Sequence, residues 1–383
     1  AATVEITDRD SHPSFGGPSS VASQIQSDEK PKSPVFDLDE TPSTFQRYAD
    51  FKARLREEYG LALGMDYNLL FQHAGKSLGE ENAASGVFRF FGRWTVVGQE
   101  AGKPGSIEFK VENRHRLGTD IAPQALGGEV GYAGLTAVPF SDAGSLLTNL
   151  YWHQSLDDNR LGYVVGIVDV TDYVDVYGLV NPWTDFGNLA FSTSPTIPAP
   201  DQGFGTAIRW SIAEHYYVLA GFADANGAPS DPWDSVESFF DDGEHFKHIE
   251  VGWYDTWETR IENNIHVTLW QVDERTEVGI PDGSGVAFSF SKKIDGQWLP
   301  FLRAGYADGS GALLERSVSA GFGYYTPDEQ GVFGLGLNWG RPNREPFGAE
   351  TRDQYTVEAY YRLQLADHVT ITPNIQLIKD PAT

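Results

Sequence analysis

Charged side chains recur at alternating positions in two neighbouring stretches of the sequence. Arg89 and Arg93 stand four residues apart in the first stretch, and Glu108, Glu112 and Arg114 follow in the second. If the stretches are adjacent antiparallel strands, the arginines can face the glutamates across the pair. Such a ladder of donors and acceptors could hold polar groups rigidly inside a narrow passage. The alternative is an ordinary set of cross-strand ion pairs that stabilises a wall.

Two long segments could add further groups beside this ladder. Residues 117–143 contain apolar side chains such as Tyr132, which a fully exposed loop would not need. Residues 170–202 follow Asp169 and carry Trp183, whose ring offers a flat apolar face. We therefore predict that both segments fold inward.

Composition narrows the possible functions. The 383 residues include 28 Lys+Arg and 54 Asp+Glu, which gives a formal charge of −26. Because nucleic-acid binding needs a basic face, this acidity argues against it. The sequence has no Cys, which excludes disulfides, zinc–thiolate sites and cysteine nucleophiles. No stretch approaches about 18 consecutive apolar residues, so a spanning helix is not expected.

Catalytic motifs are not found in the context that they need. The sequence contains no His-Glu-x-x-His and no glycine-rich phosphate loop. Gly-x-Ser-x-Gly occurs once, at residues 75–79, but between two β-rich segments and not on the strand-to-helix turn that a nucleophile elbow requires. We therefore predict that the protein is not an enzyme and uses no cofactor. A secreted β-rich glycosidase that uses two of the many carboxylates is the best enzymatic alternative.

Three regions follow from the pattern along the chain. Residues 1–42 are polar and without a sustained period, which predicts a poorly packed tail. Residues 43–60 form an amphipathic helix that Gly60 ends. From residue 61 to residue 383 the period is 2, with no linker, which predicts a single β domain.

Fifteen β-rich segments follow the helix. They lie near 61–73, 86–98, 105–116, 144–155, 160–169, 203–212, 215–224, 245–256, 262–271, 284–293, 297–307, 312–325, 330–339, 352–364 and 368–378. Tight turns mostly alternate with long connections. Short turns on one rim and long loops on the other are typical of a transmembrane β-barrel.

The two faces of the strands can be interpreted in two ways. In a soluble sandwich the apolar face is buried, whereas in a membrane barrel it contacts lipid and the polar face lines the interior. Trp339, Tyr361 and Phe71 lie near strand ends on the apolar face, as an interfacial aromatic girdle would. Fifteen long strands also exceed a typical sandwich. The sequence thus predicts an all-β, antiparallel transmembrane barrel with one short N-terminal helix.

The odd number of segments has a topological consequence. Bacterial barrels close with an even number of strands, so sixteen are expected where fifteen are visible. We predict that a closing strand is missing from this sequence. The alternative is that residues 3–7 fill the gap. If the short turns face the periplasm, the helix at 43–60 lies at the periplasmic mouth.

Several short stretches, in order and spacing, resemble one known family. Residues 51–55 run into 60–63, 166–169 precede 172–173, 186–191 precede Pro195, Pro200 and Gly203, and 371–376 stand near the end. Together they resemble the carbohydrate-selective porins of Gram-negative outer membranes, over roughly residues 45–380. The resemblance implies a sixteen-stranded outer-membrane barrel that passes mono- or oligosaccharides passively through a polar and aromatic constriction.

Candidate residues for this constriction follow from both arguments. We expect sugar contacts from Arg89, Arg93, Glu108, Glu112, Arg114, Trp183 and Asp169. Trp183 could stack on a sugar ring, or instead pack its loop against the wall. The alternative functions are a general or cation-preferring porin and, in another class, a secreted β-rich lectin or glycosidase.

Expected partners are permeating sugars, outer-membrane lipid and further copies of the chain in a homotrimer. The acidic residues Asp231, Asp234, Asp241 and Asp242 could bind Ca²⁺. Their spacing matches no EF-hand, and an external solvated loop explains them as well.

Overall fold

The computed structural model describes residues 15–36, 43–98, 103–309, 311–348 and 351–382. The strands in these ranges are β1 (Leu61–His73), β2 (Asn82–Val97), β3 (Gly105–Arg116), β4 (Gly144–Leu156), β5 (Leu161–Val168), β6 (Gly203–Ser211), β7 (Tyr216–Asp224), β8 (His245–Tyr254), β9 (Asn264–Val272), β10 (Gly283–Ser291), β11 (Trp298–Gly309), β12 (Leu314–Tyr325), β13 (Gly331–Pro342), β14 (Gln354–Ala366), β15 (Val369–Ile371) and β16 (Asn374–Lys379). The helices are α1 (Val21–Glu29), α2 (Ser43–Tyr59), α3 (Pro123–Glu129), α4 (Leu189–Ser192), α5 (Pro232–Asp241) and α6 (Arg344–Phe347). Within these ranges, no helix is long and apolar enough to cross a membrane.

The strands form one antiparallel sheet in which each pairs with its neighbours in the sequence. β15 and β16 both pair with β14 and share one position, interrupted at Thr372 and Pro373. Since proline has no N–H to donate, it interrupts the ladder there. The described strands thus occupy fifteen positions, one for each predicted segment, with β1 and β16 at the two ends of the path.

The sheet is polar on its inner face and apolar on its outer face. On β9, His266 and Thr268 are 2% and 0% exposed, whereas Val267 and Leu269 are 41% and 52% exposed. On most of the other strands, exposed apolar residues on the outer face likewise alternate with buried residues on the inner face. A water-soluble sandwich would show the reverse arrangement. The interpretation as a membrane barrel is therefore confirmed over the soluble one.

The long helix α2 has the predicted position, Ser43–Tyr59. Gly60 ends it with a left-handed φ of 67°, and the chain turns directly into β1. The Trp94 indole N–H donates to the Tyr59 carbonyl at 3.1 Å, which fixes the helix end against β2. α2 therefore lies at the rim where β1 begins and the short turns stand.

The N-terminal tail departs from the prediction. Poor packing was expected for residues 1–42, but residues 15–30 are ordered and α1 lies inside the sheet. Ser20 caps α1, and Val21 and Ile25 are buried against Phe91 on β2. The prediction was wrong here because α1 is buried through only a few residues, Val21, Ala22, Gln24 and Ile25, which leave no sustained apolar period in the sequence. Residues 3–7, the alternative closing strand, lie outside the described residues.

Candidate functional site

Residues 169–202, here called the inner loop, leave β5 and cross the interior of the sheet. The Asp175 carboxylate lies 2.9 Å from His266 Nε2 on β9 and pairs with Arg303 on β11. Its backbone N–H donates to Glu250 on β8 at 2.9 Å. All four side chains are buried. The loop is thus fixed by charge to three strands of the wall.

The far part of the inner loop packs on β11–β14. Tyr177, Phe186 and Phe191 are fully buried there. Glu358 accepts two consecutive backbone N–H groups of the loop, at 2.8 and 3.1 Å. At Gly336 a Cβ would stand 2.7 Å from the Phe191 ring, so the wall leaves space where the ring docks. The glycine at position 336 of the wall therefore makes room for the Phe191 ring of the inner loop.

Residues 117–143, the second loop, also fold inward. The Tyr132 hydroxyl donates to Asn188 of the inner loop at 3.0 Å. The Thr136 carbonyl accepts from Gln72 on β1 at 3.2 Å and from Gln376 on β16 at 2.8 Å. The prediction that both loops enter the interior is confirmed, and the second loop connects the two ends of the strand path.

The interior is divided into a filled half and an open half. On the side of β4–β10 it is packed with apolar side chains, among them Phe15, Tyr151, Val164, Tyr173, Leu219, Phe246 and Trp270. On the side of β1 and β14–β16, where the two ends of the strand path stand, an open space of about 3270 Å³ remains. The later part of α1, one side of α2, β1, the inner loop and β14–β16 line this cavity, which also reaches outward residues such as Met65 and Leu377. This side of the described interior has room for a small molecule.

Of the predicted site residues, Arg89 and Trp183 line the cavity. The Arg89 Nε donates to Asp66 Oδ1 at 2.8 Å, and the Arg89 guanidinium lies 4.0 Å from the centre of the Trp183 ring. The register does place Arg89 opposite Glu112, as predicted. The expected Arg89–Glu112 ion pair is nevertheless wrong, because Arg89 turns to Asp66 on its other side, and Glu112 pairs with Arg114 at 2.7 Å.

Arg93 and Glu108 do face each other, with Nε and Oε1 3.5 Å apart. Glu108 also accepts from Tyr151 at 2.9 Å and contacts His153 Nδ1 at 2.9 Å. Glu108, Tyr151 and His153 are buried and Arg93 is half-buried, and none of the four lines the cavity. Here the alternative of wall-stabilising pairs describes the geometry, and a sugar-binding role for the cluster stays a prediction.

The two loop residues of the predicted site differ in position. Asp169 caps the 3-10 turn Val170–Asp172 by accepting the Thr171 N–H at 2.9 Å, and it also accepts from Gln202 at 2.7 Å. Trp183 lines the cavity and packs edge-on against Phe140 of the second loop, with ring centres 5.5 Å apart. Its loop-packing contacts are therefore present, and its role in sugar stacking stays a prediction.

Several cavity residues were not predicted as site residues. Arg362 donates to Asp185 at 2.7 Å, and Lys293 pairs with Glu262 at 2.7 Å and lies over the Tyr325 ring at 4.2 Å. All line the same cavity. The period-2 pattern could have found Arg362, since it occupies an inward position on β14. The loop residues carry no such periodic signal.

Asp172 is a buried acid at the junction of the inner loop with the N-terminal segment. It accepts from the Ser19 hydroxyl at 3.0 Å and from Asn149 at 3.2 Å, and Lys110 Nζ lies 3.6 Å away. Burial raises the pKa of the Asp172 carboxyl to about 7, although the charge of Lys110 opposes this shift. The junction is thus sensitive to pH near neutrality.

We expect Asp172→Asn to flatten the pH dependence of stability below pH 7. The folded protein holds this proton at pH values where the unfolded chain has released it, so the carboxyl stabilises the fold less as the pH rises towards about 7. The free energy of unfolding in lipid vesicles, measured from pH 4 to pH 8, tests this. Asp158→Asn, in an exposed turn, is the control. Identical slopes in the two variants would contradict the assignment.

The acidic segment proposed for calcium forms part of α5. Asp231 caps this helix and accepts the Asp234 N–H. In the ranges that the structure describes, no group of three or more acidic or histidine side chains is arranged to hold a metal ion. Calcium binding by these residues stays a prediction.

The chain is similar to known porins in part of its sequence and in its fold. Residues 282–383 match the model of the family described as "Carbohydrate-selective porin, OprB family". A high-pH structure of Pseudomonas putida OprB superposes with a TM-score of 0.68 at 14% identity, covering 87% of this chain and 92% of that one. A mutant of Rh. blastica porin gives 0.50 at 12% identity, covering 84% and 96%. No curated protein matches in sequence. The predicted porin barrel fold is confirmed, and the resemblance to carbohydrate-selective porins is confirmed over residues 282–383.

Proposed function

We propose that this chain, which has a porin fold and matches the carbohydrate-selective family over residues 282–383, is an outer-membrane channel through which sugars diffuse passively. The tight-turn rim with α2 faces the periplasm, and the long loops face outward. Diffusion is downhill, so the channel carries out no covalent step and needs no cofactor.

The observation that carries the proposal is the pairing of charges on the cavity wall. Arg89 pairs with Asp66, Arg362 with Asp185 and Lys293 with Glu262. Each pair offers fixed donors and acceptors while adding no net charge. Hydroxyl groups of a neutral sugar can use such groups, whereas an ion gains little from them.

Aromatic rings lie beside these pairs. Trp183 and Tyr325 line the cavity next to Arg89 and Lys293 respectively. An apolar ring beside a hydrogen-bonding pair matches the two kinds of surface that a pyranose presents. A general or cation-preferring porin would instead need unpaired charge at its narrowest part. The balance of paired groups therefore favours sugars.

Conductance in planar bilayers tests the proposal. The protein should give stepwise channels that are partly blocked when glucose or maltose is added to one side. Channels that no sugar blocks would indicate a general porin. Protein that stays soluble without detergent and gives no channels would indicate a lectin or glycosidase.

The assembly state belongs to the proposal as well. We propose a homotrimer, whose contacts would use part of the apolar outer face. Cross-linking of the protein in lipid vesicles distinguishes three copies from one.

A further inference from the structure

One long loop lies outside the sheet, unlike the inner loop and the second loop, which enter the interior. Residues 225–244 connect β7 to β8 and contain α5. Phe239 of α5 stacks on Phe222, with ring centres 5.6 Å apart, and meets Phe204 edge-on at 4.9 Å. Both partners occupy outward positions of their strands, in line with the exposed Ile208 and Trp210. α5 therefore lies on the outer wall, at the rim of the long loops.

The helix is fixed in this position by polar contacts. Ser235 and Ser238 donate to the two oxygens of Asp224 at 2.7 and 2.9 Å. The Phe204 N–H donates to Ser235 at 3.0 Å. Because Ser235 and Phe239 are buried, the orientation of the remaining faces is determined. These hydrogen bonds and buried side chains thus hold α5 in one orientation against the wall.

The free surface of α5 is divided into an apolar and an acidic stripe. Trp233 and Phe240 are 77% and 67% exposed and lie on one side of the helix, at a spacing of seven residues. Asp234, Glu237 and Asp241 are exposed at spacings of three and four, displaced by one residue from the apolar stripe. Aromatic residues on one side of a helix and charged residues on the neighbouring side give the amphipathic division of a helix that lies in a membrane interface. The charged side here is acidic, whereas the usual interfacial helix has a basic one.

We propose that α5 is an interfacial helix that inserts Trp233 and Phe240 into the outer leaflet and so anchors the long-loop rim to the lipid surface. The occupant is lipid because the apolar stripe continues the apolar band of the outer wall through Phe204 and Phe222. The acidic stripe then faces the headgroups and water. This inference rests on the proposed outer-membrane location.

The absence of cysteine makes a site-specific test possible. Trp233→Cys and Phe240→Cys are each labelled with an environment-sensitive fluorophore and placed in vesicles that contain lipids with shallow spin-label quenchers. Glu237→Cys, on the acidic stripe of the same helix, is the matched control. We expect blue-shifted emission at 233 and 240 and quenching about twofold or more above that at 237. Phe240→Cys gives a separate measurement if Trp233→Cys does not assemble.

Three outcomes would overturn the inference. Equal quenching at all three positions would show that α5 presents no preferred side to the lipid, and no quenching would show that α5 does not enter the leaflet. Blue-shifted emission without lipid quenching, together with disulfides between copies of the unlabelled variant after treatment with an oxidant, would assign the stripe to a second copy of the chain. Conductance of each variant is recorded in parallel. Channels without lipid contact refute this inference alone, whereas protein that forms no channels in any variant or in the parent refutes the proposed function.

Discussion

Replacing Asp175 with alanine is expected to lower the free energy of unfolding by about 3–5 kcal/mol, the usual cost of removing one partner of a buried ion pair. The carboxylate contacts Arg303 and His266, and all three side chains are buried. Without it, Arg303 keeps its charge where water has little access. The inner loop would retain the donation from Arg303 to the Phe191 and Thr193 carbonyls, but would lose its charged anchor.

Equilibrium unfolding from lipid vesicles, followed by tryptophan fluorescence, measures this effect. Asp282→Ala removes an exposed acid and is the control. Arg303→Met and the double variant complete a cycle, in which the double variant should lose less than the sum of the singles because no unpaired charge remains. If Asp175→Ala loses no more than Asp282→Ala, the pair does not anchor the loop. Open-channel noise should rise in Asp175→Ala but not in the control Asp282→Ala, since a released inner loop moves within the passage.

The strands could be predicted because one physical rule governs all of them. Each strand separates lipid from a polar interior, so its period of 2 persists along its length, as in Val267 and Leu269 against His266 and Thr268. α1 gave no comparable signal. It lies in that polar interior, where Gln24 donates to the Ser19 carbonyl and no broad apolar stripe is required. α5 was interpreted as an acidic loop from its aspartates, although it also carries Trp233, Val236, Phe239 and Phe240.

The partners of inward residues could not be predicted from the sequence. An inward side chain on β2 has a neighbour on β1 and another on β3, and the register places both Asp66 and Glu112 opposite Arg89. The choice depends on what else each carboxylate contacts. Glu112 is already paired with Arg114, whereas Asp66 accepts from both the Nε and an Nη of Arg89 and also from the Asn68 amide. Only three-dimensional packing, including the Trp183 ring beside the guanidinium, decides between them.

Replacing Arg89 with glutamate is expected to have the largest effect on permeation. The change from +1 to −1 makes the cavity wall beside Asp66 more negative by two unit charges. Two unit charges at about 6 Å in water change the electrostatic energy of a passing ion by about 1.4 kcal/mol. The effect has opposite signs for cations and anions, and salt screens part of it. We therefore expect the cation-to-anion permeability ratio to rise about tenfold. The measurement is the reversal potential across a salt gradient.

Sugar block should weaken in the same variant, because the paired guanidinium that donates to hydroxyl groups is replaced by an acceptor repelled by Asp66. Arg352→Glu, an exposed arginine ahead of β14, makes the same change of charge outside the cavity lining and should leave both quantities nearly unchanged. The two readouts separate two roles of the residue. A shifted reversal potential with unchanged sugar block would place Arg89 in the ion path but not in the sugar site. If neither changes, Arg89 does not lie at the passage, and the permeant would have to cross where Arg362 and Lys293 stand.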